Sequence, residues 1–210
     1  MNQHALADVQ QDLERAPVIA ILRGVTPDSI LPVCEALAEA GVQFIEVTMN
    51  SPEPLDSIRK AADSFADRGI HVGAGTVLKP TEVDAVAEAG GTYIISPNTN
   101  PEVIRRTKAL GLVSIPGFLT PSEAFEAVEA GADLLKCFPA GQLGPSYMKD
   151  LRAVLPTPVI AVGGVNLDNV QDYLQAGAAG VGVGSALYKP TYSTNKIRED
   201  AATFLARATQ

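Results

Sequence analysis

The sequence predicts a single α/β domain over residues 1–210, a (β/α)8 or TIM barrel carrying one extra N-terminal helix. Three observations lead there. Short runs rich in Val and Ile alternate with segments of helical periodicity, at intervals too long for hairpins, which is the pattern of a parallel sheet. The length of 210 residues suits one barrel, a fold that starts near ~200 residues. Hydrophobic residues reach 46% while aromatics are only 5% and Trp is absent, so the core must be built from Val, Ile, Leu and Ala. That is the composition of a parallel-sheet interior.

The predicted strands are 18–22, 42–48, 70–75, 93–96, 112–116, 134–138, 159–162 and 180–184, a set of eight that suits a closed barrel. Between them, Thr26-Pro27-Asp28, Lys79-Pro80-Thr81-Glu82, Asn100-Pro101-Glu102 and Thr120-Pro121-Ser122-Glu123 each join a helix cap to a first-turn proline. Helices then end in a repeated phrase, Glu39-Ala40-Gly41, Glu88-Ala89-Gly90, Glu129-Ala130-Gly131 and Gln175-Ala176-Gly177, where glycine accepts the left-handed conformation that stops the helix. These phrases immediately precede strands, so chemistry is expected at the opposite, C-terminal ends. Residues 5–15 read as a helix closing the barrel bottom, and 195–207 as the last outer helix.

Charge and cysteine usage exclude several classes. A formal net charge of -8 at pH 7 argues against binding nucleic acid or an anionic membrane through a general positive field, so any phosphate must be held locally. Cys34 and Cys137 form neither a CxxC pair nor a disulfide framework, which fits a reducing cytoplasm. No run approaches the ~18 apolar residues of a membrane span. His4 and His71 are the only histidines and neither has a ligand partner at metal spacing, so no metal is expected. The Gly73-Ala74-Gly75 stretch lacks the spacing of a dinucleotide loop, and no cofactor is expected.

Lys136 carries the strongest chemical signal. In Leu134-Leu135-Lys136-Cys137-Phe138, alternation puts Leu134, Lys136 and Phe138 on one face of an apolar strand. If that face lines the barrel, desolvation disfavours the ammonium, and a neutral amine can attack a ketone. Two other roles suit the position: a stem packed inside with its head in solvent, or a cation that binds phosphate. Glu46, in Phe44-Ile45-Glu46-Val47-Thr48, enters the same interior from a separate strand. An interior ion pair stabilises weakly after desolvation, whereas a base beside a nucleophilic lysine has a chemical purpose.

Arg23 and Thr76, at the ends of the first and third strands, can supply hydrogen bonds to an anionic substrate; each also suits a rim ion pair or a turn. Gly163-Gly164 and Gly184-Ser185 follow strands seven and eight. Barrels often bind phosphate there through backbone N–H groups, with glycine permitting close approach.

From about residue 17 to 188 the chain resembles the 2-keto-3-deoxy-6-phosphogluconate / 2-keto-3-deoxy-6-phosphogalactonate (KDPG/KDPGal) aldolase family. The matching segments, in order, are Ile19-Ala20-Ile21-Leu22-Arg23-Gly24, Ile45-Glu46-Val47-Thr48, Gly73-Ala74-Gly75-Thr76-Val77, Ser96-Pro97, Ile115-Pro116-Gly117, Leu135-Lys136-Cys137-Phe138-Pro139 and Val162-Gly163-Gly164-Val165. The resemblance implies a homotrimer of barrels with Lys136 as Schiff-base lysine and Glu46 as acid/base. It also implies Arg23 and Thr76 in the substrate site, Pro97 and Phe138 on its wall, and Gly163, Gly164, Gly184 and Ser185 around a phosphate.

The implied reaction is class I cleavage of a phosphorylated 2-keto-3-deoxy sugar acid to pyruvate and glyceraldehyde 3-phosphate. Asn50 stands where gluconate-type members usually carry Arg, and Asn50-Ser51-Pro52 looks like the galactonate-type enzymes, so Asn50 is expected to bear on the choice of C4 epimer. Two other readings remain at this stage: another phosphosugar barrel, such as an epimerase or synthase in which Lys136 only binds charge, and a non-catalytic phosphosugar sensor.

Overall fold

The structure, a computed structural model, describes residues 3–210. Nine strand segments form one all-parallel sheet: β1 (Val18–Leu22), β2 (Phe44–Thr48), β3 (His71–Gly75), β4 (Tyr93–Ile95), β5 (Val113–Ile115), β6 (Gly117–Phe118), β7 (Leu135–Cys137), β8 (Val159–Val162) and β9 (Gly180–Val183). Their order is β5-β4-β3-β2-β1-β9-β8-β7-β6. The two ends of that order are consecutive pieces of a single strand, so the sheet curls round and closes as a (β/α)8 barrel.

The expected fifth strand, 112–116, is therefore longer than read and is broken. Pro116 has no N–H to give to a ladder, so β5 pairs with β4 on one side of the break and β6 with β7 on the other. The Lys136 N–H donates to the Pro116 carbonyl at 2.8 Å and the Phe138 N–H to the Phe118 carbonyl at 3.0 Å, which fastens the lysine-bearing strand to this seam.

Helices α2 (Ile30–Glu39), α3 (Pro54–Phe65), α4 (Pro80–Glu88), α5 (Pro101–Ala109), α6 (Pro121–Ala130), α7 (Gly144–Arg152), α8 (Val170–Gln175) and α9 (Thr194–Ala208) follow α1 (Gln3–Arg15). Capping differs from expectation in two places. At α2, residues 26–29 form a turn in which the Thr26 N–H donates to Ser29 Oγ (3.1 Å), and the helix starts only at Ile30. At α4 the first turn is satisfied from inside: Glu82 Oε2 accepts the Leu78 and Lys79 N–H groups at 2.7 and 3.2 Å. Thr120 and Glu123 form a reciprocal capping box at α6, and Asn100 caps α5. The repeated phrases end their helices as read, with Gly41, Gly90, Gly131 and Gly177 all at positive φ.

Alternation along the strands separates two cores. Outward residues such as Val18, Ala20, Leu22, Ile45 and Val47 pack under the helices, while Ile19, Ile21, Phe44, Tyr93, Ile95, Val113, Ile115, Leu134, Ile160 and Val162 fill the barrel. Val9 and Leu13 of α1 join the inner cluster and plug the barrel bottom. Gly180 lacks a side chain where a Cβ would stand 2.9 Å from Leu13 Cδ1, so the plug can seat closely. His71 belongs to the same floor: its Nε2 lies 2.9 Å from Asp12 Oδ2 and its ring stacks on Phe44. His4 carries no described side chain. Among the described residues no cluster of metal-ligating groups occurs and no helix is long and apolar enough to cross a membrane.

Candidate active site

At the C-terminal ends of the strands a cavity of about 570 Å³ opens. Its wall includes Arg23, Glu46, Thr76, Pro97, Lys136, Phe138, Gly163, Gly164, Gly184 and Ser185, brought together from seven separate strands and the loops that follow them. Asn50 is the exception among the residues singled out from sequence: it is exposed in the turn beyond β2 and does not line the cavity.

Glu46 and Lys136 project from β2 and β7 into this interior. Glu46 is 1% exposed and Lys136 5%, so both charges are withdrawn from water. Burial pushes the Glu46 carboxyl above the ordinary carboxylate range, against the opposing pull of Lys136 and Arg23. The Lys136 amine is pushed below its usual value by burial first; Glu46 opposes that shift and Arg23 adds to it. Each shift favours the neutral partner, which for lysine is the nucleophilic form. The Lys136 Nζ also lies 5.0 Å from the centre of the Phe138 ring, an apolar wall on one side of the amine.

Strand β3 makes room for the carboxylate by giving up its side chains. A Cβ at Gly75 would stand 1.6 Å from Glu46 Oε1, and one at Gly73 would stand 2.4 Å from the Tyr93 ring. Glu46 from β2 and Tyr93 from β4 therefore lean across β3 from opposite sides. Among the described residues neither Glu46 Oε2 nor the Tyr93 hydroxyl, both buried, has a hydrogen-bond partner, so the carboxylate keeps an oxygen available. Immediately after β3, Thr76 has φ of +60°, a left-handed conformation that is strained for a β-branched residue and recurs at functional sites.

The opposite wall is backbone. Gly163 and Gly164 have φ of +90° and +83°, and the Gly141 N–H donates to the Gly163 carbonyl at 2.8 Å. A side chain at Gly163 would press on the Phe138 ring, with 3.2 Å to its Cδ2. After β9, the Leu187 and Tyr188 N–H groups both donate to the Gly184 carbonyl and fold the Ser185 turn over the mouth. Asn166, Tyr188 and Lys189 also line this wall; Asn166 closes the segment that carries the 163–164 glycine pair, and Tyr188 and Lys189 were not singled out from sequence. They lie in loops without periodicity; Lys189, a cation shortly after the final glycine turn, was the one readable signal.

A buried amine beside a buried carboxylate, at the mouth of an α/β barrel, defines an enzyme site suited to imine chemistry on a carbonyl compound. The family model described as KDPG and KHG aldolase matches residues 9–201, and the chain belongs to that family. It is 46% identical over 193 residues to the 2-dehydro-3-deoxy-6-phosphogalactonate aldolase of Escherichia coli K12, covering 91% of this chain and 94% of that one. A solved structure of native KDPGal matches with a TM-score of 0.89 and 46% identity, over 91% of this chain and 93% of that one. The Legionella pneumophila KDPG aldolase, with pyruvate captured as a covalent carbinolamine, matches with a TM-score of 0.81 and 27% identity over 95% and 96% of the two chains.

The glycine at 75 gives the first prediction. Gly75→Ala should evict the Glu46 carboxylate and lower kcat by about 10²-fold or more, the lower bound for losing a general acid/base group. Turnover within two-fold of wild type, with unchanged circular dichroism, would show that the carboxylate does not need this space.

Proposed function

We propose that the chain is a class I aldolase that cleaves 2-dehydro-3-deoxy-6-phosphogalactonate to pyruvate and glyceraldehyde 3-phosphate, with Lys136 as the Schiff-base lysine and Glu46 as acid/base. The observation that carries this reading is the desolvated amine of Lys136 facing a cavity that also holds a buried carboxylate. The galactonate relative at 46% identity and the covalent pyruvate adduct in the Legionella relative support it.

The neutral Lys136 amine adds to the C2 ketone, and loss of water gives an iminium. As the C3–C4 bond breaks, its electron pair flows to the iminium and forms an enamine, while Glu46, through water, takes the C4 hydroxyl proton. Glyceraldehyde 3-phosphate leaves. Protonation of the enamine at C3 and hydrolysis of the imine then release pyruvate and restore the amine. Arg23 and Thr76 hold the carboxylate end, and the Gly163-Gly164 and Gly184-Ser185 backbone holds the phosphate through N–H groups at positive-φ and turn positions. Pro97 and Phe138 supply apolar wall. A homotrimer is part of the same proposal, consistent with Leu119 and Phe125 lying 37% and 48% exposed on and beside α6.

Borohydride reduction in the presence of pyruvate should add one covalent adduct at Lys136, found by peptide mass mapping, and Lys136→Ala should neither label nor cleave substrate. Full labelling of that variant would move the nucleophile elsewhere, and absence of labelling in wild type would favour a barrel in which the lysine only binds charge.

The pH dependence follows from the direction of the two shifts. Cleavage needs Glu46 ionised and Lys136 neutral. The carboxyl is raised from 4.5, so kcat/KM should fall with falling pH already above that value. Glu46→Gln should lower cleavage by about 10²–10⁴-fold and remove the carboxyl's part of the acid limb, leaving the part set by protonation of Lys136; a limb unchanged in position and steepness would assign it to the lysine alone.

Epimer preference is measured with each pure C4 epimer. A higher kcat/KM for the galactonate is expected, and a preference for the gluconate would overturn the substrate assignment. Asn50→Arg, made in the exposed turn, should leave the ratio close to wild type if the wall residues alone choose the epimer, and shift it if position 50 reaches the bound substrate.

A further inference from the structure

We propose that Ser51 is the positioning residue for Arg23, clamping the backbone on both sides of it through one buried hydroxyl. This rests on the reading of Arg23 as a substrate contact. Arg23 is exposed at the cavity lip, and among the described residues no ion pair holds its guanidinium. Its position at the lip therefore depends on the backbone that carries it.

The two peptide planes that flank the Arg23 Cα end in the Leu22 carbonyl and the Gly24 N–H. Both are tied to the same atom. The Gly24 N–H donates to Ser51 Oγ at 2.9 Å, and the Ser51 hydroxyl donates to the Leu22 carbonyl at 3.3 Å. Thr48 Oγ1 lies 3.0 Å from Ser51 Oγ. A serine hydroxyl has one proton and two acceptor sites. With the proton on Leu22 and one lone pair taken by Gly24, the remaining lone pair accepts the Thr48 hydroxyl, so the group is fully used.

The placement of Ser51 is itself fixed. Its own N–H donates to the Thr48 carbonyl at 2.9 Å, which closes the turn after β2 and points the side chain back at β1. Ser51 is 7% exposed and Thr48 is fully buried, so water cannot readily replace the lost partner if the hydroxyl is removed. Gly24, at φ +81°, is where the chain turns away from β1, and the Ser51 bond holds its N–H. The turn 49–52 thus acts on the substrate site through a serine directed inward, while its neighbour Asn50 faces solvent.

Steady-state kinetics on Ser51→Ala, Ser51→Thr, Arg23→Ala and the double variant Ser51→Ala/Arg23→Ala test this with 2-dehydro-3-deoxy-6-phosphogalactonate. Ser51→Ala should raise KM about ten-fold, the size expected for a lost buried hydrogen bond, with a much smaller change in kcat. Ser51→Thr keeps the hydroxyl and should restore KM. On the Arg23→Ala background the serine substitution should add no further rise in KM, because the two act as one unit. Ser51→Cys, close in volume but a weak hydrogen-bonding group, is measured in parallel and should behave as alanine does, which preserves the test if the alanine variant fails to fold. An unchanged KM in the alanine or cysteine variant, or additive effects in the double variant, would overturn the role of Ser51 while leaving Arg23 in the site. An unchanged KM in Arg23→Ala would instead remove Arg23 from the substrate site, and this inference with it.

Discussion

Two opposite charges buried in an apolar barrel set the conditions for everything around them. Glu46 and Lys136 each sit almost wholly out of water, at 1% and 5% exposure, in a tube otherwise lined by aliphatic and aromatic side chains. An arrangement of this kind stabilises a fold poorly, because desolvation offsets most of the mutual attraction. The surrounding structure supplies what makes it tolerable: a strand stripped to glycine where the carboxylate lies, a cavity on the exposed side, and a plug of Val9 and Leu13 that seals the floor against solvent. The stability of the domain comes from the layer between strands and helices, which leaves the interior free to serve chemistry.

Much of this was legible in the sequence because its physics is periodic. β1 and β8 run over the residues read for them, and most of the other strands are shortened by one or two at their ends, where pairing frays first. A lysine and a glutamate in apolar alternating runs could be seen as interior charges without knowing what faced them. The fifth strand continues past its expected end at 116, because Gly117 and Phe118 pair with Lys136 and Cys137, partners that only the closed barrel brings alongside. The start of α2 was misread for a similar reason: Thr26-Pro27 does begin a turn, but Ser29 closes it before the helix starts.

Loop contributions were harder to read. Asn166, Tyr188 and Lys189 reach the cavity from segments with no repeat to phase them, and their place on the wall follows from where the strands release the chain. Position 50 shows the converse. Its identity separates two kinds of relative in the resemblance read from sequence, yet the side chain is exposed, and the hydroxyl beside it is the atom bonded to the cavity end of β1. A motif can thus mark the correct turn while the atom that acts is its neighbour.

The seam at Pro116 divides the site as well as the sheet. Arg23, Glu46, Thr76 and Pro97 precede it, and Lys136, Phe138 and the glycine loops at 163–164 and 184–185 follow it. One portion of the chain brings the buried carboxylate and the arginine at the lip, the other the buried amine and the positive-φ glycine pair. The two meet by hydrogen bonds between β1 and β9, by those of the Asp133 and Leu134 N–H groups to the Ser114 carbonyl, by the Lys108–Asp133 and Arg198–Glu39 ion pairs, and by the covalent link between β5 and β6. A polypeptide nicked at the seam would hold every reactive group and no complete site in either fragment, so recovered turnover on mixing would measure reassociation of two half-barrels directly.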